Sequence, residues 1–531
     1  MNIQQHSTCQ SKGEKSLPAQ DDASDSEYHH ALEVIFDEKN AHRRRSSLVS
    51  KDLPDLILSR RKNTEFCIHA MLDCYRKYPI ENLDGIAKSL LNPQTQNESS
   101  KSSRDLTQNE TTSQLHSPKP KEQEELHSRL LNKKQLSEMA LGVRELSKRL
   151  GSIRLKLQVN NIFLLTKAYN KSLIEKAREI ARWLLSPERH VQYTVWVEDS
   201  MKDNDLFNAT GLLEDIKSSF NTLPRTNGEI RSPEKRLKYW HNEMCKTSPH
   251  TFDFVVTLGG DGTVLYANWL FQRIVPPVLS FALGSLGFLT KFDYEKYQET
   301  LTTALKDGVT ISLRLRLEAT IMRSKPISSF VPNQPEKETQ NLENRINIYR
   351  DLVDELVKEE EGDERTHRPD STREILNDVV VDRGPNPLMS SIELFSDNQH
   401  MTSVAADGIC VATPTGSTAY NLAAGGSLCH PDNPVILVTA ICAHTLSFRP
   451  IILPDTVVLR VGVPYDARTS SWASFDGRER VELRPGDYVT ISASRYPFAN
   501  VMHPELKNED WTRSISEKLG WNTRQKQEPY S

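Results

Sequence analysis

None of the seven cysteines in this 531-residue chain, scattered at positions 9, 67, 74, 245, 410, 429 and 442, forms a Cys-x-x-Cys pair. That spacing argues against a zinc site and against a disulfide framework, and it suits a reducing compartment. Also missing is any apolar run approaching the ~20 residues needed to span a bilayer, so no membrane partner is expected. The N-terminus begins Met1-Asn2-Ile3-Gln4-Gln5 and turns acidic at Asp21-Asp22. It has neither the apolar segment of a secretory signal nor the Arg-rich pattern of a transit peptide. A cytoplasmic location follows by elimination, with the nucleus still open. Finally, there is no excess of positive charge. A net charge of -4 gives no global attraction to nucleic acid, which is not expected as a partner.

At 37% hydrophobic the chain can bury a core, and its length allows two domains plus disordered parts. Residues 1 to about 30 and 92 to 124 are rich in Ser, Gln, Asn, Lys and Glu, which predicts disorder. Between them, Leu53 to Tyr78 is amphipathic, and Arg43-Arg44-Arg45 precedes Ser46-Ser47, a string that a solvated tail explains as well as a modification site does. Residues 1–125 are therefore read as a largely disordered extension. Leu136, Met139, Val143, Leu146 and Leu150 have helical spacing up to Gly151.

Residues 126–293 read as an α/β domain with a parallel sheet. Its signals are a strand over 161–165, a helix over 173–185, a strand over 191–197, a polar insertion over 200–232, a helix near 233–246, and the strands 254–258 and 278–283. From Ile311 the pattern changes. Ile311, Leu313, Leu315, Leu317, Ala319 and Ile321 alternate with Ser, Arg, Arg, Glu and Thr, as in a half-buried antiparallel strand. A second, β-rich domain is placed at 294–505, with an acidic insertion over 324–372, and a C-terminal helix and tail at 506–531.

The strongest chemical signal is Gly259-Gly260-Asp261-Gly262-Thr263, directly after the apolar run 254–258. Ligands bind at strand ends of open α/β sheets, and glycines let backbone amides approach phosphate oxygens. A carboxylate there repels phosphate unless it binds a metal or takes a proton from an attacking hydroxyl, which points to phosphoryl transfer. Asp261 capping the following helix is the plainer alternative. A second turn, Thr413-Pro414-Thr415-Gly416-Ser417-Thr418-Ala419-Tyr420-Asn421, presents hydroxyls and amides before a short helix that ends at Gly425-Gly426. Asn377-Asp378 opens a valine strand, and Asp407 and Asp476 stand in Asp-Gly turns that could be only hairpins. Phe288 and Tyr420 flank the glycine turns, where a base could stack or where a core aromatic could sit. His444 and Arg449 follow an apolar strand and suit an ion pair or a subunit contact.

Together, GGDGT, the Asn-acid pair, GSTAYNLAAGG (416–426) and SFDGR (474–478) resemble the NAD kinases over roughly residues 135 to 500. LSFRPIILP (446–454) and LGVRELSKRLG (141–151) are similar to the fungal members in particular. The resemblance implies an N-terminal α/β domain and a C-terminal β-sandwich-like domain with the NAD site between them. It further implies ATP as donor, Mg²⁺ held mainly by its phosphates with no protein metal cage, and self-association. Asp261 would accept the 2'-hydroxyl proton of the adenosine ribose, while Gly260, Gly262 and Thr263 shape a phosphate loop. Asn377 and Asp378 would contact the dinucleotide, and Phe288, Asp407, Thr418, Ala419, Tyr420 and Asp476 would line its pockets. The family pair is commonly Asn-Glu; here the acid, Asp378, is one methylene shorter. A lipid kinase shares only the GGDG turn, and a non-catalytic dinucleotide sensor would bind without turnover.

Overall fold

The computed structural model describes residues 32–35 and 127–521, apart from 168–169, 190, 223–231, 285–286, 326–349, 359–364 and 504–509. The expectations for residues 1–30 and 92–124, the Arg43-Arg44-Arg45-Ser46-Ser47 string and the 53–78 stretch lie outside them. Leu32–Ile35 pairs antiparallel with Arg154–Leu157.

The helix Lys133–Leu150 opens with a capping box in which Asn132 and Gln135 satisfy each other's backbone amides, and it stops at Gly151. An α/β unit follows. Its sheet runs, in spatial order, Leu237–Trp240, Thr194–Glu198, Asn161–Thr166, Phe254–Gly259, Val278–Ala282, Phe498–Met502 and Thr310–Arg314, with Phe292–Asp293 beside Val278–Ala282. The first five of these strands pair in parallel. One face packs the helices Lys171–Leu185, Ala209–Thr222 and Tyr297–Lys306; the other packs Asp261–Leu270. The chain leaves Asn161–Thr166 toward one edge and returns at Phe254–Gly259 to build the other. The GGDGT turn therefore lies at the carboxyl end of a strand beside the topological switch point, where such sheets bind ligands.

Two local expectations change. The polar stretch after 200 contains the helix Ala209–Thr222, and the helix expected near 233–246 is interrupted by the strand Leu237–Trp240. Pairing with Thr194–Glu198 overrides the helical pattern there.

The second unit is a sandwich of two six-stranded antiparallel sheets. One has the order His367–Ile375, Leu317–Ser324, Tyr488–Ala493, Leu459–Gly462, Ser390–Ser396, Gln399–Ala406. The other has the order Ile451–Pro454, Val435–Ile441, Gly408–Ala412, Asp378–Asp382, Ser471–Phe475, Glu479–Leu483. Val379, Val381, Ile409 and Val411 alternate inward to the core shared by both sheets. The sheet boundary does not fall near residue 294. Thr310–Arg314 still belongs to the first sheet, and Phe498–Met502 returns to it from the end of the sandwich. Nor is the alternating stretch half-buried: Ser312, Arg316, Glu318 and Thr320 are buried as well, because the junction of the two units covers both faces. The helix Leu352–Lys358 within the acidic insertion packs Leu352 and Leu356 against Met322, Phe395 and Tyr488.

Candidate active site

Asp261 is the first residue of its helix, with Gly260 as the cap, and it does not cap that helix. Its carboxylate reaches across to the next loop. Oδ1 accepts from the amides of Leu289 and Thr290 and from the Thr290 hydroxyl, each at 3.0 Å. Oδ2 accepts from the Phe288 amide at 2.8 Å. Asp261 thus closes the 287–290 loop while remaining half-buried. Only glycine fits at 287, since a Cβ there would stand 1.9 Å from Asp261 Oδ1. Gly260 and Gly262 are exposed, with open space where their side chains would be. The N-terminal amides of the helix therefore face an accessible turn, a favourable place for phosphate. Thr263 points the other way. It is buried, and its hydroxyl lies where a Cβ on Gly259 (φ +146°) would meet it at 2.4 Å.

In the sandwich, Asp476 does for residues 376–378 what Asp261 does for 288–290. Its Oδ1 accepts from the amides of Asn377 at 2.7 Å and Asp378 at 3.2 Å, and its Oδ2 from Leu376 at 3.0 Å and Asn268 Nδ2 at 3.0 Å. It sits in the left-handed region, φ +47°, before Gly477. Burial pushes its carboxyl up from the ordinary range, and the same amides oppose that shift. Asp378 is buried, and no side-chain donor reaches it among the described residues. Desolvation first, and the charge of Asp476 second, push it up to about 7. Asn377 is half-buried beside it.

The second glycine turn rests on this strand. The Thr413 hydroxyl donates to Leu376 O at 2.6 Å, the Thr413 amide to Asn377 O at 2.9 Å, and a Cβ on Gly416 would come within 2.2 Å of Asn377 O. Thr418 ends the short 3₁₀ turn Thr415–Thr418, Ala419 links it to the helix Tyr420–Ala423, and Tyr420 is 44% exposed. Asp407 lies at the other end of the strand from Asp378. It pairs with Arg383 at 3.1 Å and precedes Gly408, the far end of the strand whose other end, Ala412, faces Asp378. Five residues of strand separate it from Ala412, about 16–17 Å along the strand.

Several residues that join the halves escaped the sequence reading. Asn268 lies two turns below Asp261 on the same helix face. Its Nδ2 also donates to Glu374 O at 2.9 Å, and its Oδ1 accepts from Arg316 Nη1 at 2.9 Å. Arg316, fully buried, donates further to the carbonyls of Phe271, Gln272 and Arg273, the C-cap and the turn just past the Asp261 helix, and to Tyr496 O. Desolvation lowers its guanidinium to about 10, with Glu374 and Asp476 pulling it back up. Arg478 lies over the Tyr266 ring, 4.6 Å from the centroid, and reaches Gly262 O at 3.4 Å. A cavity of about 860 Å³ lies elsewhere, between helix Lys133–Leu150 and the sandwich, with Arg144 and Asp455 in its wall.

Comparison with known proteins bears on the family of the chain. Residues 162–309 match the ATP-NAD kinase N-terminal domain, and residues 376–503 match the ATP-NAD kinase C-terminal domain. The chain is 41% identical over 387 residues to an uncharacterised kinase of Schizosaccharomyces pombe, covering 73% of this chain and 86% of that protein. It is 41% identical over 397 residues to an NAD(+) kinase of Saccharomyces cerevisiae, covering 75% and 66%. Among solved structures, a yeast NADH kinase complexed with NADH superposes with a TM-score of 0.51 at 28% identity, over 71% of this chain and 93% of that one. On these matches, this chain belongs to the ATP-NAD kinase family.

Proposed function

We propose that the chain transfers the γ-phosphoryl group of ATP to the 2'-hydroxyl of the adenosine ribose of NAD, giving NADP, with Asp261 taking the hydroxyl proton. One observation supports this above the others. Asp261 is fixed by four donors, three of them on Oδ1, so Oδ2 keeps an acceptor position beside two exposed glycines. A ribose hydroxyl is a weak nucleophile, and a carboxylate oriented in this way aligns it and receives its proton.

The exposed amides at Gly260 and Gly262 would bind phosphate, with Thr263 supporting the turn from behind. Asn377, Asp378, Phe288, Thr418, Ala419 and Tyr420 would line the dinucleotide. Asp476 acts through the strand it holds, because all four of its hydrogen bonds stay within the protein. Asp407 would reach only a ligand that extends to the far end of the strand. Among the described residues, no group of three or more His, Cys, Asp or Glu gathers as a metal cage. One open carboxylate oxygen with exposed backbone suits a Mg²⁺ held mainly by phosphates and water. When bound, that ion neutralises phosphate charge.

Self-association belongs to the same proposal: Leu446, 82% exposed, and Ile452 leave apolar surface at the sheet edge Ile451–Pro454, near exposed His444 and Arg449. A cytoplasmic location remains part of it. No described helix is long and apolar enough to cross a membrane. The test is NADP formation from ATP and either NAD or NADH, read by an NADP-specific enzyme, with the phosphate position fixed by NMR. NAD binding by calorimetry without any product would instead favour a dinucleotide sensor.

A further inference from the structure

The helix Asp510–Lys518 lies beyond both stretches that match the family, which end at residue 503. Its contacts nevertheless fall on the two loops that carry the site. Ser514 Oγ accepts from Lys291 Nζ at 3.1 Å, and Lys518 Nζ stands 5.4 Å from the centroid of the Phe288 ring. Phe288 supplies one of the amides that clamp Asp261, and Lys291 follows the last of them. At the other end of the helix, the Trp511 ring meets the His430 ring edge-on, with centroids 5.1 Å apart. His430 follows Cys429, whose amide and carbonyl both bond the Ser417 hydroxyl at 3.1 Å, inside the second glycine turn. Ile515 is buried at 2% exposure, so the helix is seated by an apolar anchor.

We propose that this helix is a positioning element of the site: it braces the Phe288 loop against the Ser417 turn and thereby sets dinucleotide affinity. The inference rests on the reading that these two loops line the dinucleotide. The phosphate-binding amides of Gly260 and Gly262 receive none of these contacts, so ATP binding should be spared. Ser514 and Ile515 act through the loops they hold, and Lys518 adds a positive charge at the rim.

The experiment measures kcat and both KM values for the full chain and for Ile515→Asp, Ser514→Ala and Ser514→Thr, with hydrogen exchange over residues 510–518 reporting whether the helix is seated. Undocking by Ile515→Asp is expected to raise the KM for NAD about tenfold while the KM for ATP stays within about twofold. Ser514→Ala should shift in the same direction by a smaller factor, and Ser514→Thr, which keeps the hydroxyl, should restore the parent value. An unchanged KM for NAD in a chain whose helix is shown to be unseated overturns the proposal, and so does an equal rise in both KM values. If Ile515→Asp does not fold, the Ser514 pair decides: identical KM values for NAD in the alanine and threonine variants would sink it. A parent chain that makes no NADP contradicts the proposed reaction instead; NAD affinity by calorimetry then judges the helix on its own.

Discussion

Two Asp-Gly turns, Asp261-Gly262 in the α/β unit and Asp476-Gly477 in the sandwich, use the same device with different outcomes. Each carboxylate gathers three consecutive backbone amides from a distant segment, 288–290 in one case and 376–378 in the other. Asp476 has a fourth partner in Asn268, so each of its oxygens receives two donors. Asp261 has the Thr290 hydroxyl as its fourth, on the oxygen already taken twice, and beside it stand two glycines open to solvent. The comparison teaches that a carboxylate clamp is a scaffold when both oxygens are equally engaged, and a candidate for chemistry when one faces space.

Asp476→Ala strikes the closed clamp. It strands three amides and Asn268 Nδ2 in a buried place, so unfolding should become easier by roughly 3–5 kcal/mol, read as a fall in the denaturant midpoint. An unchanged midpoint would show that Asp476 is no scaffold. Gly287→Ala strikes the open clamp by pushing a Cβ into Asp261 Oδ1. The expected result is a kcat about 10²-fold lower with a smaller loss of stability than Asp476→Ala causes. The reverse order of stabilities would erase the distinction between the two turns.

Asn268→Leu separates the clamps from each other, because the Asn268 side chain ties the Asp261 helix directly to Asp476. A loss of about 1–3 kcal/mol in stability is expected, with a lower kcat in the folded fraction. The last effect is a pH dependence, and it concerns Asp378. Its folded-state value of about 7 lies above the ordinary carboxylate range. Between about pH 4 and pH 7 the folded chain therefore keeps a proton that the unfolded chain has released, and stability falls as pH rises through that window. In Asp378→Asn this part of the pH dependence should vanish, so the gain in melting temperature over the parent should be larger at pH 8 than at pH 5. Parallel melting curves at the two values would contradict it.

Much of the fold was legible because its signals are local. Leu136, Met139, Val143, Leu146 and Leu150 up to Gly151 mark the first long helix, and the valines 379 to 381 mark a strand of the sandwich. The GGDGT turn announced its own place at a strand end. What sequence could not show is where the donors to Asp261 come from, since they lie 27 to 29 residues away and are backbone amides that any sequence possesses. Arg316 was hidden for a related reason: it follows the polar phase of an alternating strand, and only the second unit covers that phase. Asn268 did leave a trace. It is a lone polar residue at helical spacing from Asp261 among Val264, Ala267 and Leu270. Asp407 shows the opposite limit, because an Asp-Gly turn looks alike at either end of a strand, and the pairing shows which end it occupies.

The most direct test is kcat for NADP formation by Asp261→Asn beside its melting temperature. A fall of about 10²- to 10⁴-fold, with the KM for NAD and the melting temperature little changed, is what a proton-accepting Asp261 predicts. Near-parental kcat in the folded variant, or a loss explained entirely by unfolding, would leave Asp261 as a loop clamp and contradict the account.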